Sequence, residues 1–240
     1  MSLVQSFELS LERSNLSLTR EDRPKVFEMC DREWDLLDEV FAPVYSPSTG
    51  VSLEFLGLTD ISTSGRNGSL LEIGCGAGVA VVMAALTGEG RVVGSDINPQ
   101  AVANTRLNAA RHGVQDRVTV LQGDLFSELA DGERFDTVFW SSNYVRAPKD
   151  YVYKSLHEAA YVDADYRAHR VYLTEAPKRT TDGGSALLHF SSRGDLAELH
   201  RLAADCGREL RTLKSIQARE SEYGDHVVEH LLLEISAVAD

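Results

Sequence analysis

Residues 69–96 read Ser-Leu-Leu-Glu-Ile-Gly-Cys-Gly-Ala-Gly-Val-Ala-Val-Val-Met-Ala-Ala-Leu-Thr-Gly-Glu-Gly-Arg-Val-Val-Gly-Ser-Asp. The apolar run Leu70 to Ile73 has the character of a buried parallel strand. Glycines follow at 74, 76 and 78, then an alanine- and valine-rich helix from Val79 to Leu86 that Thr87-Gly88 ends. A second apolar strand, Arg91 to Ser95, finishes on Asp96. Strand, glycine turn, helix, strand and acid make one nucleotide-binding half of a doubly wound α/β sheet. Glycine lets the backbone turn sharply and approach a ligand. The helix start offers unpaired N–H groups to a carboxylate or phosphate, and an acid at the second strand's end accepts hydrogen bonds from ribose hydroxyls.

Outward from this stretch, the chain continues as alternating strands and helices. Asn98-Pro99 opens a helix through His112, Pro99 fitting a first turn that needs no N–H. Strands are predicted at Arg117–Gln122, Phe135–Trp140 and Ser185–Ser191, helices at Asp165–Pro177 and Asp195–Cys206, and a closing strand pair at Leu210–Ile216 and His226–Ile235. Upstream, Phe27, Trp34, Leu37 and Phe41 recur near helical spacing and predict an amphipathic helix. A Pro-containing loop at 41–50, a helix at Val51–Leu58 and a Ser/Thr/Gly/Asn linker at Thr59–Gly68 follow. The expected organisation is a helical N-terminal extension over residues 1–60 and a sheet domain over 61–240.

Composition bounds the function. The 240 residues suffice for a full core. No apolar run approaches the ~20 residues of a membrane helix, and the N-terminus lacks a secretory signal's basic and apolar regions. Three scattered cysteines suggest a reducing cytoplasm and no metal site. A net charge of −13 argues against a nucleic-acid substrate, which calls for a basic face.

The glycine spacing separates two cofactor classes. Dinucleotide sites read G-x-G-x-x-G; here Glu72 precedes Gly74, Gly76 and Gly78, and Val81 stands where the third dinucleotide glycine would lie. The pattern E-x-G-x-G-x-G resembles the first motif of class I S-adenosylmethionine-dependent methyltransferases. The resemblance implies a seven-stranded Rossmann-like sheet whose last strand runs antiparallel. It implies S-adenosyl-L-methionine as cofactor, with Glu72, Gly74, Cys75, Gly76 and Gly78 at its methionine end. Asp96 would meet the ribose, and Ile97 and Asn98 after it would also bind the cofactor. Gly123, Asp124 and Leu125, in the Q-G-D-L-F run from Gln122, would meet the adenine.

The end of the fourth strand is where a methyl acceptor meets that cofactor, and F-D-T-V-F-W-S-S-N-Y-V (residues 135–145) resembles F-D-x-I-x-x-N-P-P-Y-I of the release-factor glutamine methyltransferases. R-E-W…V-Y-S-P-S-T-G upstream and the segment from Asp165 to Leu188 downstream extend the likeness over roughly Asp31 to Phe190. Thr49 would close the cofactor site from the N-terminal loop. Ser141 replaces the family's Asn, Ser142 and Asn143 replace its prolines, and Tyr144 is kept. A serine cannot offer an amide's paired donor and acceptor, so the expected acceptor is a small molecule with an N or O nucleophile. Ser141, Asn143 and Tyr144 are the catalytic candidates, Ser141 also touching cofactor. A protein side-chain amide or amine is the alternative acceptor, and a non-catalytic cofactor-binding subunit the alternative of another class. His189, near the strand ends, is read as an outward strand residue, the alternative being a base beside the acceptor. Tyr151, Tyr153, His157 and Tyr161 would pack or cover the acceptor site, and Cys75 would be a small packed residue rather than a nucleophile.

Overall fold

The computed structural model describes residues 4–63, 67–220 and 226–238. In chain order its elements are α1 (Phe7–Thr19), β1 (Val26–Met29), β2 (Arg32–Asp35), α2 (Ser48–Leu56), β3 (Ser69–Ile73), α3 (Val79–Leu86), β4 (Arg91–Asp96), α4 (Pro99–Arg111) and β5 (Val118–Gln122). Then come β6 (Phe135–Ser141), β7 (Val145–Ala147), β8 (Val162–Ala164), α5 (Arg167–Glu175), β9 (Thr180–Ser191), α6 (Leu196–Asp205), β10 (Arg208–Glu220) and β11 (His226–Ala237). The main sheet has seven strands in the order β10–β11–β9–β6–β3–β4–β5. Its parallel strands run from β9 to β5, and β11 lies antiparallel between β9 and β10. This is the expected seven-stranded sheet with an antiparallel last strand.

Alternating residues feed two cores, because successive side chains on a strand point to opposite faces. Leu70, Val92, Phe139 and Leu187 pack with α2, α3 and α4 on one face. Leu71, Ile73, Val138, Trp140 and Leu188 pack with α5 and α6 on the other. Helices on both faces bury both sides of the parallel strands, which is why those strands are apolar throughout.

Register sets the site. Ile73 pairs with both Ser95 and Trp140, so the carboxyl ends of β3, β4 and β6 finish level. The chain leaves them at Gly74, Asp96 and Ser141. β3 lies between β4 and β6, the point where connections diverge to opposite sides and where ligands sit in such sheets.

The helix predicted around Phe27–Phe41 is not formed. Residues 26–35 are the antiparallel hairpin β1–β2, in which Phe27 faces Trp34 across the strands. Cys30 and Asp31 both take the left-handed conformation, φ 53° and 54°, as a two-residue hairpin turn requires. Buried Asn104 and Asn108 of α4 hold the hairpin: Leu37 N–H donates to Asn104 Oδ1 at 2.7 Å, and Asp35 N–H to Asn108 Oδ1 at 2.8 Å. The N-terminal helix lies earlier, at α1, so the extension is part helix and part hairpin. The Thr59–Gly68 linker falls partly, and residues 221–225 fall wholly, outside the described residues.

Candidate active site

A cavity of about 510 Å³ opens at the level strand ends. Its cofactor side is the loop 74–78. Gly74 N–H donates to Ser95 O at 2.7 Å, which turns the chain off β3 toward β4. Asp96, at the end of β4, accepts from Gly76 N–H (Oδ2, 2.9 Å) and Asn98 N–H (Oδ1, 2.9 Å). One carboxylate therefore fixes both the glycine loop and the start of α4, and each oxygen keeps a lone pair for a ligand hydroxyl. Burial raises the Asp96 pKa above the ordinary carboxylate range, and the two N–H bonds oppose that rise.

Glu72 lies buried on β3, its pKa pushed up to about 8 by burial first and the Asp96 charge second, against a hydrogen bond from the Val81 backbone. Its Oε2 has no partner among the described residues. Gly76 takes φ +55°, and a Cβ built on it would meet nothing within 4 Å, so bare backbone faces the cavity there.

Thr49, Glu72, Gly74, Cys75, Gly76, Asp96, Ile97, Asn98, Gly123, Asp124, Leu125, Ser141, Asn143 and Tyr144 all line the cavity. Gly78 does not. At φ +82° a Cβ on it would come 2.8 Å from the Thr105 backbone, so this glycine lets α3 and α4 approach closely. Asn98 uses its side chain structurally: Oδ1 caps α4 by accepting from Gln100 N–H at 2.9 Å, and Nδ2 donates to Glu39 O at 2.8 Å. The Cys75 thiol packs against Thr105, and burial raises its pKa well above the ordinary thiol value, so it is an inert wall residue.

The other side of the cavity is formed by the chain after β6 and by α1. Asn143 Nδ2 donates to Ala159 O at 2.8 Å and Val162 O at 2.9 Å, which ties the strand end to the covering segment. Tyr151 donates to Glu158 Oε2, and Tyr153 is clamped between Val162 O and Ala164 N–H, so both hold that segment in shape. Tyr161 packs against Phe41 and His157. His157 Nδ1 lies 2.7 Å from Ser14 Oγ of α1; burial and then the Arg23 charge lower its pKa to about 4.

His189 does not face outward. It is fully buried, beside Phe55, Tyr144 and His230.

Gln5, Ser10 and Arg13 of the α1 region, Ser52 of α2, and Arg193 after β9, which no motif marks, are also on the cavity wall. Arg13 pairs with Glu220 at 3.0 Å, and Arg193 also pairs with Glu220. The available signal was Ser6 as an N-cap with Glu8 in the first turn, which marks where α1 begins.

Asp96 and Asp124 on one wall suit hydroxyls and amino groups and would repel a pyrophosphate, the group a dinucleotide brings, while the protonated Glu72 beside them can donate or accept. Residues 70–163 match the family model described as a methyltransferase domain. The matched segment holds β3, the glycine loop, Asp96 and β6, the cofactor side of the cavity. A cavity with acids for a diol and an open glycine backbone fits S-adenosylmethionine.

Over 74 residues the chain is 36% identical to ribosomal protein L11 methyltransferase from Vibrio cholerae, covering 31% of this chain and 24% of the relative. The chain thus spans about a quarter of the length of the curated relatives it matches. In fold it is similar to a methyltransferase solved with SAH (TM-score 0.59, 9% identity, 90% of this chain and 58% of that one). It is likewise similar to a tRNA m1G37 methyltransferase from M. jannaschii (TM-score 0.58, 13% identity, 90% and 57%).

Proposed function

We propose that this chain transfers a methyl group to a small-molecule acceptor through a nitrogen or oxygen nucleophile, by in-line displacement. S-adenosylmethionine supplies an electrophilic methyl on a sulfonium, already a good leaving group.

The observation that carries this reading is the covered acceptor side. α1 lies across the segment 145–164, held by the Ser14–His157 contact and by the edge-on packing of Phe7 against Tyr151 (5.9 Å between centroids). The whole cavity, about 510 Å³, is within the ~300–1,000 Å³ of small-molecule sites, yet it must take cofactor and acceptor together.

In this reading Asp96 binds the ribose hydroxyls. Glu72, Gly74 and Gly76 line the methionine end, and Ile97, Asp124 and Leu125 line the adenine. Ser141 and Tyr144 face the acceptor, while Asn143 positions the cover. The residues contribute mainly alignment and exclusion of water, and alignment alone can be worth ~7–11 kcal/mol.

A second reading is a side-chain amide or amine of a protein. The 36% identity to an L11 methyltransferase over 74 residues favours it, as does the retained Tyr144.

Methyl-labelled cofactor incubated with the purified protein and cell extract, then separated by molecular mass, tests the choice. Label in the small-molecule fraction supports the first reading. Label on protein overturns it in favour of the second, and label on RNA overturns both.

A further inference from the structure

Behind the acceptor wall lies a buried chain of hydrogen bonds whose proton positions follow from satisfying every member. Ser52 Oγ donates to Ser48 O at 2.9 Å, one turn back in α2. A serine hydroxyl has one proton, so the same Oγ, 2.9 Å from His189 Nδ1, must accept there. Nδ1 of His189 therefore carries a hydrogen.

The ring is neutral, since burial and then the His230 charge hold its pKa well below the ordinary value. Its Nε2 is then bare and accepts from His230 Nδ1 at 2.8 Å, with the Tyr144 hydroxyl a weaker donor at 3.3 Å. His230, neutral in turn, is left with a bare Nε2, and that atom is buried without a partner among the described residues. An orphaned acceptor is tolerated better than an orphaned N–H, so the assignment closes consistently.

The groups facing His189 are Ser52 and Phe55 from α2, Ser141 and Tyr144 from the end of β6 and beyond, and His230 from β11. Arg193 acts electrostatically on Tyr144 and His230.

Ser141 Oγ, on the cavity wall, is 3.1 Å from the same Nδ1 and shares its hydrogen. Ser141 is an acceptor toward the ring, so its own proton turns either to the Tyr144 hydroxyl beside it or to an acceptor in the cavity.

We propose that His189, fixed as the Nδ1–H tautomer by the Ser48 carbonyl acting through Ser52, is a positioning residue that turns the Ser141 hydroxyl into a donor toward the cavity, so that the site takes an acceptor carrying a carbonyl or carboxylate oxygen beside its nucleophile. This deepens the methyl-transfer reading and rests on it for the identity of the acceptor side. An amine cation, which has no lone pair, finds no use for that proton.

Two measurements test it without turnover. In protein labelled with 15N-histidine, two-bond 1H–15N correlations should show Nδ1–H for both His189 and His230. An Nε2–H form of His189 in the wild type would overturn the assignment. Ser52→Ala should shift His189 toward Nε2–H, and an unchanged tautomer would remove Ser52 from the chain.

The second measurement titrates acetate, acetamide and methylammonium into protein loaded with S-adenosylhomocysteine, following the Ser141 backbone amide and its neighbours. Acetate and acetamide should bind at least threefold more tightly to wild type than to Ser141→Ala, and methylammonium equally to both. Equal binding of all three to both proteins, or a preference for methylammonium, refutes the donor role. Neither result depends on methyl transfer, so failure to find labelled product in extract would leave the tautomer finding intact and count against the methyltransferase reading alone.

Discussion

Glu72→Gln replaces a buried carboxyl on β3 by an amide of nearly the same shape. In the unfolded chain Glu72 titrates at its ordinary value of 4.5, and in the folded protein at about 8. Between those limits the native state keeps a proton that the unfolded chain has released. Bound protons are fewer in the unfolded state, so stability falls as pH rises through this window. The effect is absent below pH 4.5 and complete above pH 8. Each pH unit of separation is worth ~1.4 kcal/mol, so the wild type should lose roughly 5 kcal/mol to this one group by pH 9. Burial at 5% exposure leaves little solvent to screen it.

Urea denaturation of both proteins from pH 5 to pH 9 reads this out as the difference between their stability curves. Asp96, whose pKa burial also raises, titrates in both proteins and largely cancels. The variant should gain steadily on the wild type above pH 5 and exceed it at pH 9. Parallel curves across the range would show that Glu72 is ionised in the folded protein, and the burial argument would fail.

Three further outcomes are expected. Asp96→Ala should weaken S-adenosylmethionine binding, measured by calorimetry, by about 10- to 100-fold, the ~1.5–3 kcal/mol of hydrogen bonds to a charged group; unchanged affinity would remove Asp96 from the cofactor site. Gly78→Ala and Gly76→Ala separate packing from conformation. The first drives a Cβ to within 2.8 Å of the Thr105 backbone and should cost about 2–4 kcal/mol by denaturation, while the second meets open space and should cost only the ~1–2 kcal/mol of a positive φ; equal costs would refute the close-approach account. Asn108→Ala removes the acceptor of Asp35 N–H and the donor to Asp35 O and Ala77 O. It should destabilise the fold by about 2–4 kcal/mol and loosen both the hairpin and the glycine loop, checked by denaturation and amide exchange.

The parallel strands were legible because each is a short apolar run between turn residues, and a strand buried on both faces has no other composition open to it. The glycine loop and Asp96 were legible because the backbone geometry they serve depends on local spacing. Two features were not. The Phe27–Phe41 pattern fits a helical period as well as it fits two four-residue strands, and only the tertiary anchors Asn104 and Asn108 on α4 choose between them. The Ser52–His189–His230 chain joins residues 137 and 41 positions apart, a distance over which no sequence period carries information. His189 looked like a surface histidine because a lone polar residue on a strand usually is one; here β11 and α2 cover both its sides.

α1 buries Ser10, Arg13, Ser14 and Ser17 and exposes Leu9 and Leu16, the reverse of an ordinary surface helix. A hinged cover seated by apolar contact would resist lifting in proportion to its buried area. This one has only Phe7 and Leu11 as apolar anchors and is otherwise seated by a few directional bonds, which contribute little net stability each. Its opening should therefore be a local event decoupled from global unfolding, with its amides exchanging far faster than those of β3 or β6. A latch of that kind would let the chamber exchange its contents while the sheet beneath stays rigid.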